Sequence, residues 1–336
     1  MSKIKIICTL GPSSFKKDII DQLKKNKVNL LRINLSHTKS EEIQKRINFL
    51  KKNKVKNICI DTEGAQIRTS FIKKEIFYKK NKKIKIICGQ NKSDKKKIYL
   101  QPFFKFDKIK KNCVIDIGFS NLSLKVIKNY KDKNYILCKT IKSGFLGANK
   151  GVHINADIEL PSLSEKDLFA INLMKRNNIN NIAISFVNKV GDVTKVRQLL
   201  GKKCYIISKI ETKNALKNLK SISNATNALL IDRGDLSREV PVQDIPLVQE
   251  KILKHSNKIK KPTYVATNLL ETMIKQNLPT RAESNDIYAS LNQGAKGMVL
   301  AAETAIGIDP INCVKFLKKC IKSFINKKKL SKSYRL

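Results

Sequence analysis

Eight short apolar runs, separated by segments of helical periodicity, constrain the fold more than any other feature of this sequence. They are KIKIICTL (3–10), NLLRINLS (29–36), NICIDTE (57–63), NIAISFV (181–187), CYIISKIE (204–211), ALLIDRGD (228–235), TYVATNLL (263–270) and KGMVLAAET (296–304). Apolar runs alternating with helical patterns are the mark of parallel sheets built from βα units, and eight is the number that closes a β/α barrel. The segments between them carry helix signals. FKKDIIDQLKKNK places apolar residues at 15, 19, 20 and 23; Ser164 with Asp167 reads as a capping box, and so does Thr280 with Glu283, with Gly294 near the stop.

One interval breaks the rhythm. Residues 69–154 read as short β stretches with turn residues, too long for a loop and wrong for a barrel helix. The expected organisation is a barrel over 1–68, a small β-rich lid domain over 69–154 inserted after the third strand, the rest of the barrel over 155–325, and a basic tail over 326–336.

The formal charge is +42, from 69 Lys+Arg against 27 Asp+Glu. These charges are spread along the whole chain and aromatic residues are only 6%, so a solvated basic surface is expected rather than a specific nucleic-acid face. Neither a P-loop nor a GxGxxG after a strand is present. The eight cysteines show no CxxC pair and several lie in apolar runs, so they read as reduced core thiols. No signal-peptide pattern and no run of transmembrane length is found, and the expectation is a cytoplasmic protein with no membrane partner.

In a β/α barrel the chemistry gathers at the C-terminal ends of the strands. Reading only those ends collects Thr9, Gly11, Pro12, Arg32, Asn34, Ser36, Asp61, Thr62, Arg68, Ser185, Lys209, Glu211, Arg233, Gly234, Asp235, Thr267, Glu303 and Thr304. Glu211 and Asp235 end consecutive runs, where two carboxylates could share a hard divalent cation. Lys209 and Glu211, two apart, fall on one face of an extended strand. Arg32, Arg68 and Arg233 add cation density suited to a small phosphorylated acid. Taken singly, Lys209 with Glu211 could be a structural ion pair, and Ser185 and Thr267 could satisfy backbone groups. Convergence on one pole of the barrel favours a site.

The motifs in order, CTLGPSS, LRINLSH, DTEGAQIRT, GVHINADIELPSLSEKD, SKIE, RGDL, ATNLLETMI, PTRAE and ETAIG, resemble those of the pyruvate kinase family over some 310 residues. The resemblance implies a (β/α)8 barrel with a β-rich lid and transfer of a phosphoryl group from phosphoenolpyruvate to ADP, giving pyruvate and ATP. It implies Lys209 as the cation that stabilises the moving phosphoryl group and the enolate, Arg32 and Arg68 as phosphoryl contacts, and Thr267 on the route of a proton to the enolate. Ser185, Arg233, Gly234, Asp235 and Thr267 would line the substrate pocket, and Pro12, Asn34 and Lys150 would contact the nucleotide. Glu211 and Asp235 would hold Mg2+ or Mn2+, and Asn34, Ser36, Asp61 and Thr62 would hold K+.

This sequence departs from the family pattern at several points. Asp232 stands where the family has alanine, and a carboxylate there should repel phosphoenolpyruvate unless Arg233 or Arg238 pairs with it or it faces away. That leaves another enol phosphate, a 2-oxo acid, or a non-catalytic barrel as alternatives. Ser237 and Arg238 replace a glycine and an apolar residue, and Glu63, Ala65 and Gln66 replace lysine, proline and a glutamate tied to K+ dependence. The family's C-terminal α/β domain is expected to be absent after Leu336, and its sugar-phosphate control with it; a homo-oligomer through the barrel is compatible with the sequence.

Overall fold

The computed structural model describes residues 4–64, 66–118, 121–156 and 158–326. Ala65 and residues 327–336 of the expected basic tail lie outside the described residues. The chain divides into two compact units, residues 1–64 with 163–336, and residues 65–162.

The first unit is a closed barrel of parallel strands. These are β1 (Lys5–Leu10), β2 (Leu30–Asn34), β3 (Ile58–Asp61), β4 (Asn181–Ile184), β5 (Tyr205–Ile210), β6 (Ala228–Asp232), β7 (Thr263–Ala266) and β8 (Gly297–Leu300). Their order around the barrel is β1-β8-β7-β6-β5-β4-β3-β2, and β1 pairs with β8 to close it. Each of the eight apolar runs is one of these strands. The strands end earlier than the runs: β6 stops at Asp232 and Arg233–Leu236 forms one helical turn, and β8 stops at Leu300 before the helical turn Ala302–Ala305.

Strand parity divides the core. Ile7, Leu30, Cys59, Ala183, Ile207, Ala228, Leu230, Tyr264, Ala266 and Val299 form the barrel's interior cluster. Alternate residues such as Ile6, Cys8, Leu31, Ile33, Ile206, Ile210, Leu229 and Ile231 belong instead to the cluster shared with the helices. The helices form where the sequence signals them, and the two capping boxes, Ser164 with Asp167 and Thr280 with Glu283, are made in full. Cys8, Cys59, Cys204 and Cys313 are buried free thiols.

The second unit is built from β structure. Its larger sheet runs Val152–Ile154, Val114–Ile117, Leu122–Tyr130, Tyr135–Lys142, Lys83–Cys88, Lys97–Gln101, Arg68–Thr69, and Gly144–Leu146 pairs with Ile76–Tyr78. It has its own apolar core, including Ile84, Ile98, Phe106, Ile115, Leu124 and Ile136.

Candidate active site

The same parity that fills the barrel delivers its polar pole. On β5 the inward series Ile207 continues through Lys209 to Glu211, and on β6 the inward series Ala228, Leu230 continues to Asp232. On β2 it passes from Leu30 to Arg32 and Asn34, and on β3 from Cys59 to Asp61. Where the inward positions turn from apolar to charged, the barrel core ends and the site begins.

Lys209 stands at the centre. Its Nζ lies 2.8 Å from Glu211 Oε1, 3.2 Å from Asp232 Oδ2 and 3.6 Å from Asp61 Oδ1, and donates to Ser185 Oγ at 3.1 Å. Ser185 Oγ in turn donates to the Thr62 carbonyl at 2.6 Å, and Ser185 N donates to Thr62 Oγ1 at 2.9 Å. Burial alone would drive the ammonium toward losing its proton, but Asp61, Glu211 and Asp232 together hold Lys209 well above the ordinary lysine value. The two carboxylates that flank it respond in opposite senses. Burial, with Asp235 and Asp232 nearby, raises Glu211 against the pull of Lys209. Asp232 is buried too, yet Lys209, the Thr267 hydroxyl and Arg32 bring it below the ordinary aspartate value. Asp232 therefore carries its charge, and the excess negative potential falls on Glu211.

Neither of the arginines near Asp232 in sequence pairs with it. Arg233 pairs with Asp286 at 2.7 Å, and Arg238 with Asp235 at 3.2 Å. Asp232 pairs instead with Lys209 on the neighbouring strand, and its Oδ1 accepts from Thr267 Oγ1 at 2.6 Å. Neighbouring residues of a strand point to opposite faces, so the inward Asp232 meets inward residues of adjacent strands.

Thr267 has φ 75° and Asn268 φ 56°, a left-handed conformation that a β-branched residue rarely adopts. Its carbonyl accepts from Arg233 Nε at 3.1 Å and Nη2 at 2.5 Å, so consecutive residues Asp232 and Arg233 hold its side chain and its backbone. Gly234 fits beneath: a Cβ there would lie 2.9 Å from Thr267 Cγ2.

Glu211, Asp232 and Asp235 each present a carboxylate oxygen, all within 4.8 Å of one another. The donors are hard oxygens, and Glu211 Oε1 is buried without accepting a hydrogen bond, though it faces Lys209. This set fits a hard divalent cation. Glu211 Oε2 is already fixed by the Phe186 N–H at 2.6 Å.

The four residues expected around a monovalent ion lie at the ends of β2 and β3, where Asn34 and Asp61 are register partners. Three of them already serve the fold: Asn34 Oδ1 accepts from Ser36 N at 2.9 Å, Asp61 Oδ2 lies 2.9 Å from Arg32 Nη1, and Thr62 Oγ1 accepts from Ser185 N. Arg32 also donates to Thr9 Oγ1 through Nε at 2.9 Å and Nη2 at 2.7 Å. Pro12 is exposed in the turn after β1. Arg68 and Lys150 belong to the second unit, where Arg68 Nη1 donates to the Asn149 carbonyl at 3.1 Å and Thr69 Oγ1 accepts from Lys150 N at 2.8 Å. Glu303 and Thr304 act as braces, Glu303 accepting from Leu270 N and Ala301 N, and Thr304 donating to the Thr9 carbonyl. Asp286, in the middle of helix Arg281–Asn292, carried no sequence signal, because its contact to Arg233 spans 53 positions.

Comparison with known proteins gives a consistent set. The family model for the pyruvate kinase barrel domain matches residues 1–314. The chain is 32% identical over 333 residues to the pyruvate kinase of Clostridium acetobutylicum, covering 95% of this chain and 70% of that protein. It is 33% identical over 332 residues to that of Thermotoga maritima, covering 96% and 71%. To the chloroplastic pyruvate kinase isozyme G of Nicotiana tabacum it is 31% identical over 328 residues, covering 94% and 58%. Among the described residues no helix is long and apolar enough to cross a membrane.

Proposed function

The chain belongs to the pyruvate kinase family, and from that premise we propose that it transfers the phosphoryl group of phosphoenolpyruvate to ADP, giving pyruvate and ATP. The observation that carries this reading is the buried Lys209 set among carboxylates beside Thr267 at the barrel's polar pole. Breaking the enol phosphate leaves an enolate, and a fixed ammonium stabilises that charge without reorganising. Thr267 then stands on the route of the proton that converts the enolate to pyruvate. Ser185, Arg233, Gly234 and Asp235 frame the substrate, with Arg233 and Gly234 setting the position of Thr267.

A divalent ion, Mg2+ or Mn2+, would be held by Glu211 and Asp235 and would supply charge neutralisation for the phosphoryl oxygens. Asn34, Ser36, Asp61 and Thr62 are the proposed K+ residues. Arg32, held by Asp61 and Thr9, is the proposed phosphoryl contact from the barrel. Pro12 and Asn34 are proposed for the nucleotide. For Arg68 and Lys150, and for the second unit as a lid, the support is the motif match. Asp232 does not stand unpaired beside the pocket: Lys209 and the Thr267 hydroxyl hold its carboxylate.

The test is pyruvate formation from phosphoenolpyruvate and ADP, followed with Mg2+ and K+ present or omitted. We expect Mg2+-dependent turnover. A folded protein that binds Mg2+ and gives none would overturn the assignment.

A further inference from the structure

We infer that Asp232 is a third carboxylate of the divalent-cation cradle, so that this chain holds its metal ion with less reliance on oxygens supplied by the substrate. The inference rests on the metal reading above and adds to it a residue that the family pattern gives as alanine. Three facts carry it. The Asp232 carboxylate lies with those of Glu211 and Asp235 within 4.8 Å, close enough for one ion to reach all three. Its position is fixed, by Thr267 Oγ1 at 2.6 Å and Lys209 Nζ at 3.2 Å. A carboxylate has about four lone-pair sites, so both contacts leave room for a cation.

The third fact is the charge of the donor set: Asp232 adds a carboxylate to the pair formed by Glu211 and Asp235, and affinity for hard cations rises with the charge count of the ligands. A two-carboxylate cradle would depend on the substrate's own phosphoryl and carboxylate oxygens to complete the ion's shell; three carboxylates reduce that dependence.

The test is binding of Mn2+ alone to the full chain, without substrate or nucleotide, read from the loss of the free-ion paramagnetic resonance signal. Asp232→Ala should weaken Mn2+ binding about tenfold or more, the scale expected for removing a nearby unit charge. Asp232→Asn, which preserves shape and the acceptor for Thr267, should fall between the two and serves where the alanine variant does not fold. Oxygen-17 water line broadening should show more water on the bound Mn2+ in Asp232→Ala than in the parent. Glu211→Gln separates the two claims. If it weakens Mn2+ binding while both Asp232 variants bind as the parent does, the role of Asp232 is overturned and the metal reading stands. If neither Glu211→Gln nor Asp235→Asn changes the affinity, the metal reading falls, and this inference with it.

Discussion

Lys209 Nζ lies 2.8 Å from Glu211 Oε1, with both side chains at or below 5% exposure, and two further carboxylates crowd the same ammonium. Removing one member of a buried ionic cluster costs more than the cluster contributes, because the charges left behind lose their compensation. Lys209→Met is therefore expected to destabilise the metal-free protein by about 3–5 kcal/mol. Urea unfolding with and without Mg2+ checks it, and Mg2+ should recover part of the loss. In the folded variant, turnover should fall at least about a hundredfold, the scale seen when one preorganised charge-stabilising group is removed.

Asp286 reaches the site only through Arg233. Its 2.7 Å ion pair holds the guanidinium that grips the Thr267 carbonyl, and Thr267 is the residue whose backbone most needs holding. Asp286→Ala should lower kcat about tenfold, since small misplacements of a reacting group are costly, while the fold loses only about 1 kcal/mol. Steady-state kinetics beside a thermal melt would separate the two; an unchanged kcat refutes the positioning role.

Gly234 is required for space rather than for backbone freedom. An added methyl at 2.9 Å from Thr267 Cγ2 must push that side chain away from Asp232. Gly234→Ala should cost about 1–3 kcal/mol of overpacking and reduce turnover more than it reduces Mn2+ affinity. Parent-like turnover would show that Thr267 yields freely.

The core thiols predict the alkaline limit of the fold. Burial pushes Cys88 and Cys204 up to about 11 and Cys138 and Cys313 up to about 12, from an ordinary value of 9.0. Above pH 9 the unfolded chain releases these protons while the folded chain retains them, so stability falls as pH rises from 9 through 11–12. The urea midpoint should decline across that window. A midpoint that is flat between pH 9 and 11 would contradict it.

The sequence's period-two and helical patterns were enough to reveal the barrel, since each apolar run became a strand and each capping box formed. They also located the inward row that holds Lys209 and Glu211. The pairing of Asp232 with Lys209 is hidden in the linear sequence, where its nearest cations are Arg233 and Arg238. Parity with Ala228 and Leu230 already points its side chain inward, toward the adjacent strand. Asp286 was not legible at all: an aspartate on a helix has no periodic signature, and only the folded path from β6 to helix Arg281–Asn292 brings it to Arg233.

Thr9 joins the two ends of the barrel: it accepts from Nε and Nη2 of Arg32, donates to the Leu300 carbonyl at 3.0 Å, and has its own carbonyl bound by Thr304. During synthesis on the ribosome, Thr9, the fifth residue of the first strand, must wait for the eighth strand and the turn after it to emerge before its hydroxyl and carbonyl meet Leu300 and Thr304. A nascent chain that already carries Arg32, Asp61, Lys209 and Asp235 would still lack the link that locks Thr9 across the seam, so the pole is completed late, with closure of the ring.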